Sequence, residues 1–136
     1  MYCTIVPLND EHLDRLGVTD TFLRQAYFSA GSVSYCLLAD GQPVLAGGVV
    51  NMQWKRGEAW MLPTGFFRKH LKTCLRYLKE TLPEMAFNGG FKRIQATCST
   101  DISPSLFHHL GFQYEGVMKS FGPNGETCYM YARVFR

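Results

Sequence analysis

The 136-residue chain has no apolar run of the roughly 18 residues that a membrane-spanning helix needs. Its start, Met1-Tyr-Cys-Thr-Ile-Val-Pro7, lacks the basic residues and apolar core of a secretory leader, so the expected location is the cytoplasm. It also lacks any CxxC pair or cysteine–histidine cluster, and no metal is expected. Its five cysteines, Cys3, Cys36, Cys74, Cys98 and Cys128, are widely spaced and odd in number. They read as free thiols serving as small buried apolar groups. Neither sign of charge dominates: a net charge of +3 is too small to argue for nucleic-acid binding. With no repeat, linker or low-complexity stretch, residues 1–136 are expected to form a single domain. What remains is 46% hydrophobic and 18% charged, a globular balance in a chain long enough to bury a core.

Cys3 to Val6 reads as a strand stopped by Pro7. Asn9 or Asp10 can cap a helix through about Leu16, with Leu8, Leu13 and Leu16 on one side. Thr19 or Asp20 caps a second helix, whose apolar stripe is Phe22, Leu23, Ala26 and Tyr27. Val33–Ala39 and Val44–Met52 flank Asp40-Gly41, a short hairpin signal. Gly47-Gly48 inside the second of these strands points to a bulge or a close backbone approach, made for packing or for a ligand. Lys55-Arg56-Gly57 reads as a turn.

The stretch from Glu58 to Phe112 organises the rest. Glu58-Ala-Trp-Met-Leu62 is a short strand ended by Pro63-Thr64-Gly65. One long helix follows. Phe67, Leu71, Cys74, Leu75, Leu78 and Leu82 form its inner face, Arg68, Lys69, Lys72, Arg76 and Lys79 its outer face, and Pro83 is expected to end it. Asn88-Gly89-Gly90 is a turn into the strand Arg93–Cys98. Ser99–Ser103 offers capping residues for a short helix that opens at Pro104, gives Leu106, Phe107 and Leu110 to the core, and ends at Gly111. Gln113–Met118 and Thr127–Phe135 close the chain as strands around Gly122-Pro-Asn-Gly125. The order is β-α-α-β-β-β-α-β-α-β-β, an α/β (mixed α+β) chain with helices on both faces of a mixed sheet. Its strand–helix–strand centre implies parallel strands, with a ligand site beyond their carboxyl ends, at Leu62–Lys69 and Cys98–Asp101.

This order, with Leu110-Gly111-Phe112 ending the last helix before a closing hairpin, resembles the GNAT superfamily of acyl-CoA-dependent N-acetyltransferases. Ala59-Trp60-Met61-Leu62, running into a helix without the usual glycines, and Phe121-Gly-Pro-Asn-Gly-Glu126 before Tyr129-Met-Tyr-Ala132 resemble a short phage- and prophage-encoded branch. The resemblance implies a GNAT-like fold and transfer of an acyl group from acetyl-CoA to an unidentified amine. It implies coenzyme contacts at Met61, Leu62, Phe66, Arg68 and Lys69, and a proton-collecting carboxylate at Glu58. It also implies pairing of two copies through the last strands.

Two positions depart from the family's pattern. Its phosphate loop is glycine-rich, because glycines let backbone N–H groups curl round phosphate oxygens at a helix start. Here Thr64-Gly-Phe-Phe-Arg-Lys-His-Leu71 offers only Gly65, so Arg68 and Lys69 are the candidate phosphate contacts, or else solvated charges. The family's tyrosine that protonates the leaving thiolate is matched by Phe107, which has no proton to give, and the family's helix-opening asparagine is replaced near Thr100-Asp101. His108 and His109 read as surface histidines. Alternation puts Glu58, Trp60 and Leu62 on one strand face and Ala59 and Met61 on the other. The departures define an alternative: an inactive GNAT fold kept as a virion component or as a module that binds a phage or host protein.

Overall fold

The computed structural model describes residues 1–99 and 104–136. Its strands form one sheet in the order β1-β2-β3-β4-β5-β7-β6. The strands are β1 (Cys3–Pro7), β2 (Val33–Ala39), β3 (Gln42–Asn51), β4 (Arg56–Pro63), β5 (Arg93–Cys98), β6 (Gln113–Met118) and β7 (Cys128–Val134). All neighbours run antiparallel except β4 and β5, which are parallel. The helices are α1 (Asp10–Arg15), α2 (Thr21–Tyr27), α3 (Gly65–Lys69), α4 (Leu71–Gly89) and α5 (Pro104–His109). The expected mixed sheet is present. The capping expected at residues 100–103 lies outside the described residues, as does the polar helix opening at Thr100-Asp101.

Two layers of side chains sandwich the sheet. On one face Leu8, Leu13 and Tyr27 from the α1–α2 region meet Cys36 and Ala46, with Trp60 and Leu62 of β4 packed beside them. On the other face Leu82 and Met85 of α4, Phe107 of α5 and Phe112 just after it cover Val49, Ile94, Ala96 and Tyr131. Asn9 caps α1 in a reciprocal pair with His12: the His12 N–H donates to Asn9 Oδ1 at 2.9 Å, and the Asn9 N–H to His12 Nδ1 at 3.2 Å. Asp20 caps α2. Arg24 ties the two helices by donating to Asp10 and Asp14 at 3.0 and 2.5 Å.

Several local expectations are corrected. Phe22 is 77% exposed, because the packing of α2 is fixed by Tyr27, which stacks on Trp60. The helix after Gly65 is two helices, broken at His70 (φ −122°, ψ 46°). The break shifts the helical phase, so Phe67 packs with Cys74 while Leu71 is 45% exposed. Pro83 does not end α4, which runs on to Gly89. A proline inside a helix costs about 3 kcal/mol. Burial of Leu82 and Met85, at about 1.5–3 kcal/mol each, offsets that cost. The helix ends where Gly90 takes φ 69°, a conformation open to glycine without a Cβ penalty.

Arg56 and Gly57 belong to β4 rather than to a turn. A Cβ on Gly57 would stand 2.2 Å from Val49 Cγ1 and 3.0 Å from Phe91, so this glycine answers to packing. The turn is earlier, at Gln53, Trp54 and Lys55, all with positive φ. The Asp40-Gly41 hairpin forms as expected, with positive φ at both residues. Gly47-Gly48 is a close backbone approach and not a bulge: pairing is continuous there, and the extra residue of β3 is Val44, where the register shifts opposite Leu37 and Leu38.

The five cysteines are free, and only Cys3 is more than slightly accessible. Burial pushes the Cys36 thiol up to about 11. Among the described residues no helix is long and apolar enough to cross a membrane, and no three His, Cys, Asp or Glu side chains group as a metal site.

Candidate active site

The parallel pairing of β4 and β5 covers Arg56↔Arg93, Gly57↔Ile94 and Glu58↔Gln95. β4 continues for another five residues, Ala59 to Pro63, with β3 alone pairing it through to Leu45↔Pro63. The backbone edge of β4 that faces away from β3 therefore opens beyond Glu58. Here the sheet leaves a cleft of about 460 Å³. Ala59, Met61 and Pro63 of β4 line it, with Leu78, Leu82 and Met85 of α4, Ala96 and Thr97 of β5, and Phe107 of α5. Most of this wall is apolar. Backbone groups of an open strand edge offer the hydrogen bonds that the side chains do not.

Glu58 stands at the mouth of the opening and lines the cleft. Its Oε2 accepts from Gln95 Nε2 at 3.1 Å. Burial raises its pKa, against hydrogen bonds from Gln95 and Thr97 that favour the charged form. A half-buried carboxylate whose pKa is raised by burial is a candidate proton acceptor. Two residues on, Trp60 lies flat on Tyr27, with ring centroids 3.7 Å apart and planes 11° apart.

Gly47 and Gly48 both line the cleft. A Cβ on Gly48 would lie 2.3 Å from Val33 O and 2.9 Å from Ser34 Cα, so the residue is required by backbone packing against β2. A Cβ on Gly47 would stand 3.2 Å from Trp60 O, tight but not prohibitive.

Of the residues singled out in the sequence, Glu58 and Met61 line the cleft. Leu62 turns to the α1–α2 layer, and Phe66 packs near Leu37, Leu45 and Cys74 while stacking on His70 at 4.3 Å. Thr64 caps α3, and its hydroxyl accepts from the Phe66 N–H at 3.3 Å. That donor is therefore already engaged. Arg68 and Lys69 project from the exposed side of α3. Phe107 is buried and stacks on Tyr131 with centroids 4.4 Å apart. His108 and His109 are exposed.

The sequence reading missed Gln95, Thr97 and the charged pair behind them. The signal for the first two was present: Arg93, Gln95 and Thr97 alternate with Ile94, Ala96 and Cys98, a polar face on a strand beside Glu58.

The chain matches no protein-family model and no curated protein sequence. Solved structures do match. A GNAT-family acetyltransferase from Streptococcus pneumoniae superposes with a TM-score of 0.78 at 14% identity, covering 99% of this chain and 100% of that one. The fold is that of the GNAT acetyltransferases. Ard1 from Thermoplasma volcanium is similar at TM-score 0.78 and 9% identity, over 100% of this chain and 99% of the other. A Bacillus subtilis acetyltransferase in complex with CoA gives 0.76 at 13% identity, over 99% and 100%. At these identities the GNAT likeness is one of fold, and the chemistry has to be argued from the residues of the cleft.

Proposed function

We propose that this protein is an N-acyltransferase that moves the acyl group of acetyl-CoA to an amine, with Glu58 as the base. The observation that carries the reading is the open seam: β4 parts from β5 one residue after a half-buried carboxylate, beside an apolar cleft. That a structurally similar Bacillus subtilis acetyltransferase is in complex with CoA supports it.

The residues present fit the pantetheine arm of the coenzyme. The free edge of Ala59–Pro63 matches its amides, and Met61, Leu78 and Met85 match its methylenes and methyls. Leu62 contributes backbone, since its side chain faces the other layer. The phosphate end is plainer. With the Phe66 N–H engaged by Thr64, Arg68 and Lys69 hold the phosphates as side-chain charges. Acetyl-CoA supplies an acyl group activated as a thioester. Glu58 takes the proton of the amine, directly or through one water, as the nitrogen bonds to the acyl carbon. The apolar walls exclude bulk water. Phe107 has no proton to hand over, so protonation of the departing thiolate falls to solvent.

Phe107 and the engaged Phe66 N–H favour a second reading, in which the fold serves as a module for binding a phage or host protein without turnover. One assay separates the two: thiol release from acetyl-CoA, with and without a panel of primary amines. Amine-dependent release that is lost in Glu58→Gln supports the enzyme. Coenzyme binding without release under any amine supports the module.

A further inference from the structure

A hydrogen-bonded line runs through the sheet to Glu58 from its far edge. The Glu115 carboxylate accepts from Arg93 Nη2 and Nη1 at 2.5 and 2.8 Å. Arg93 Nε donates to Gln95 Oε1 at 3.3 Å, and Gln95 Nε2 donates to Glu58 Oε2 at 3.1 Å. We propose that Glu115, Arg93 and Gln95 are positioning residues that fix the orientation of the Glu58 carboxylate at the cleft. The proposal rests on the reading of Glu58 as the base.

The chemistry of the groups gives the line a direction. A guanidinium only donates, so Gln95 must show Arg93 its carbonyl oxygen. The amide's NH2 then faces the other way, towards Glu58. The Glu58 carboxylate, which only accepts, favours the same orientation from the other end. Arg93 adds to that preference by anchoring the amide oxygen, and so holds the NH2 group on Glu58 against rotation.

The fold makes the line possible at three points. Glu58 and Gln95 are register partners across the parallel seam. Arg93 and Gln95 alternate on one face of β5. Glu115 lies at an irregularity of β6, between Tyr114↔Tyr131 and Gly116↔Met130, and such an extra residue re-aims a side chain. Its path crosses β7 beside Ala132, which pairs with both Gln95 and Gln113 and has only a methyl group.

Stability is a weak reason for the Arg93–Glu115 pair. Its side chains are 31% and 41% exposed, and surface ion pairs typically contribute about 0–1 kcal/mol. Other neighbours do not replace the line. Thr97 also bonds Glu58, as a donor separate from the line through Gln95. Val50 of β3, paired with Glu58, is apolar. Arg56, two residues before Glu58, sets its guanidinium over Trp54 at 5.1 Å.

The test reads the Glu58 carboxyl directly, by carbon-13 NMR titration of glutamate-labelled protein, with Glu58→Gln to assign the resonance. Gln95→Ala removes a donor to the charged form, so the Glu58 midpoint rises. Arg93→Gln raises it too in the wild-type background, and adds no further shift when Gln95 is already alanine. Equal shifts in both backgrounds would mean that Arg93 acts through space by its charge, and would overturn the proposal. So would an unchanged midpoint in Gln95→Ala. Should Arg93→Gln disturb the ladder of β5 and β7, Glu115→Ala on the edge strand carries the same cycle. The line predicts a rise confined to the Gln95 background, whereas loss of a remote negative charge alone predicts a fall in both. The titration needs no turnover. Failure of acetyl-CoA to bind overturns the acyltransferase reading, and the midpoints decide the positioning line separately.

Discussion

Glu58 and Gln95 are the last pair of the parallel seam, and the amide of one donates to the carboxylate of the other. The same rung that ends the pairing of β4 and β5 thus sets the Glu58 carboxylate beside the opening it creates. Position in the sheet and chemistry at the cleft are one feature.

Glu58→Gln keeps the shape and removes the base. Amine-dependent kcat should fall by roughly 10²–10⁴-fold, the usual range for loss of a general base. In the wild type, kcat/KM should drop as pH falls through a midpoint above the ordinary carboxylate value, because burial raises the Glu58 pKa and only the ionised form accepts a proton. Stability carries the opposite sign. A carboxyl with a raised folded pKa binds its proton more tightly when folded, so its contribution declines as pH rises past the unfolded value. Glu58→Gln should therefore melt at a higher temperature than wild type at pH 7. The gap should close below the ordinary carboxylate range, as calorimetry at two pH values would record.

The two cleft glycines should behave differently. Gly48→Ala forces a Cβ into the β2 backbone, 2.3 Å from Val33 O, and should destabilise the fold by about 2 kcal/mol or more. Gly47→Ala meets Trp60 O at 3.2 Å and should cost little stability while narrowing the cleft. Denaturant unfolding alongside coenzyme titration separates these outcomes. Equal losses of stability in both variants would contradict the assignment.

Phe107 stacks face to face on Tyr131 at the cleft wall. Under the proposed reading, Phe107→Tyr adds to the cleft wall a hydroxyl that could protonate the leaving thiolate. It should raise kcat by about a hundredfold, the lower end of the range for general acid–base catalysis. Phe107→Leu should not raise kcat. Stopped-flow measurement of thiol release with a fixed amine compares them.

Arg68 and Lys69 are exposed, so under the proposed reading a coenzyme phosphate bound by their side chains would be screened by salt. Arg68→Ala should weaken acetyl-CoA binding several-fold at low ionic strength and flatten its salt dependence. Identical salt slopes in variant and wild type would mean that these are solvated charges.

Much of this fold was legible from its residues. Strand alternation put Glu58 and Trp60 on one face and Met61 on the other; Asp40-Gly41 gave a hairpin, and Leu110-Gly111-Phe112 gave the helix end. Local rules failed where tertiary packing overrode them. Pro83 reads as a helix stop, but Leu82 and Met85 hold α4 together around it. Gly57 reads as a turn, but it lies under Phe91. Glu58 could be singled out from the sequence and lines the cleft, but the groups around it were much less legible. Gln95 and Thr97 follow from alternation once β5 is known to lie beside β4. Glu115 does not, because it reaches Arg93 from an irregularity two strands away that no local pattern marks.

The central claim is that the seam beyond Glu58 binds acetyl-CoA. Isothermal titration of acetyl-CoA into the wild-type protein tests it most directly. A saturable heat at one site per chain is the predicted result; no heat across a range of temperatures would contradict it.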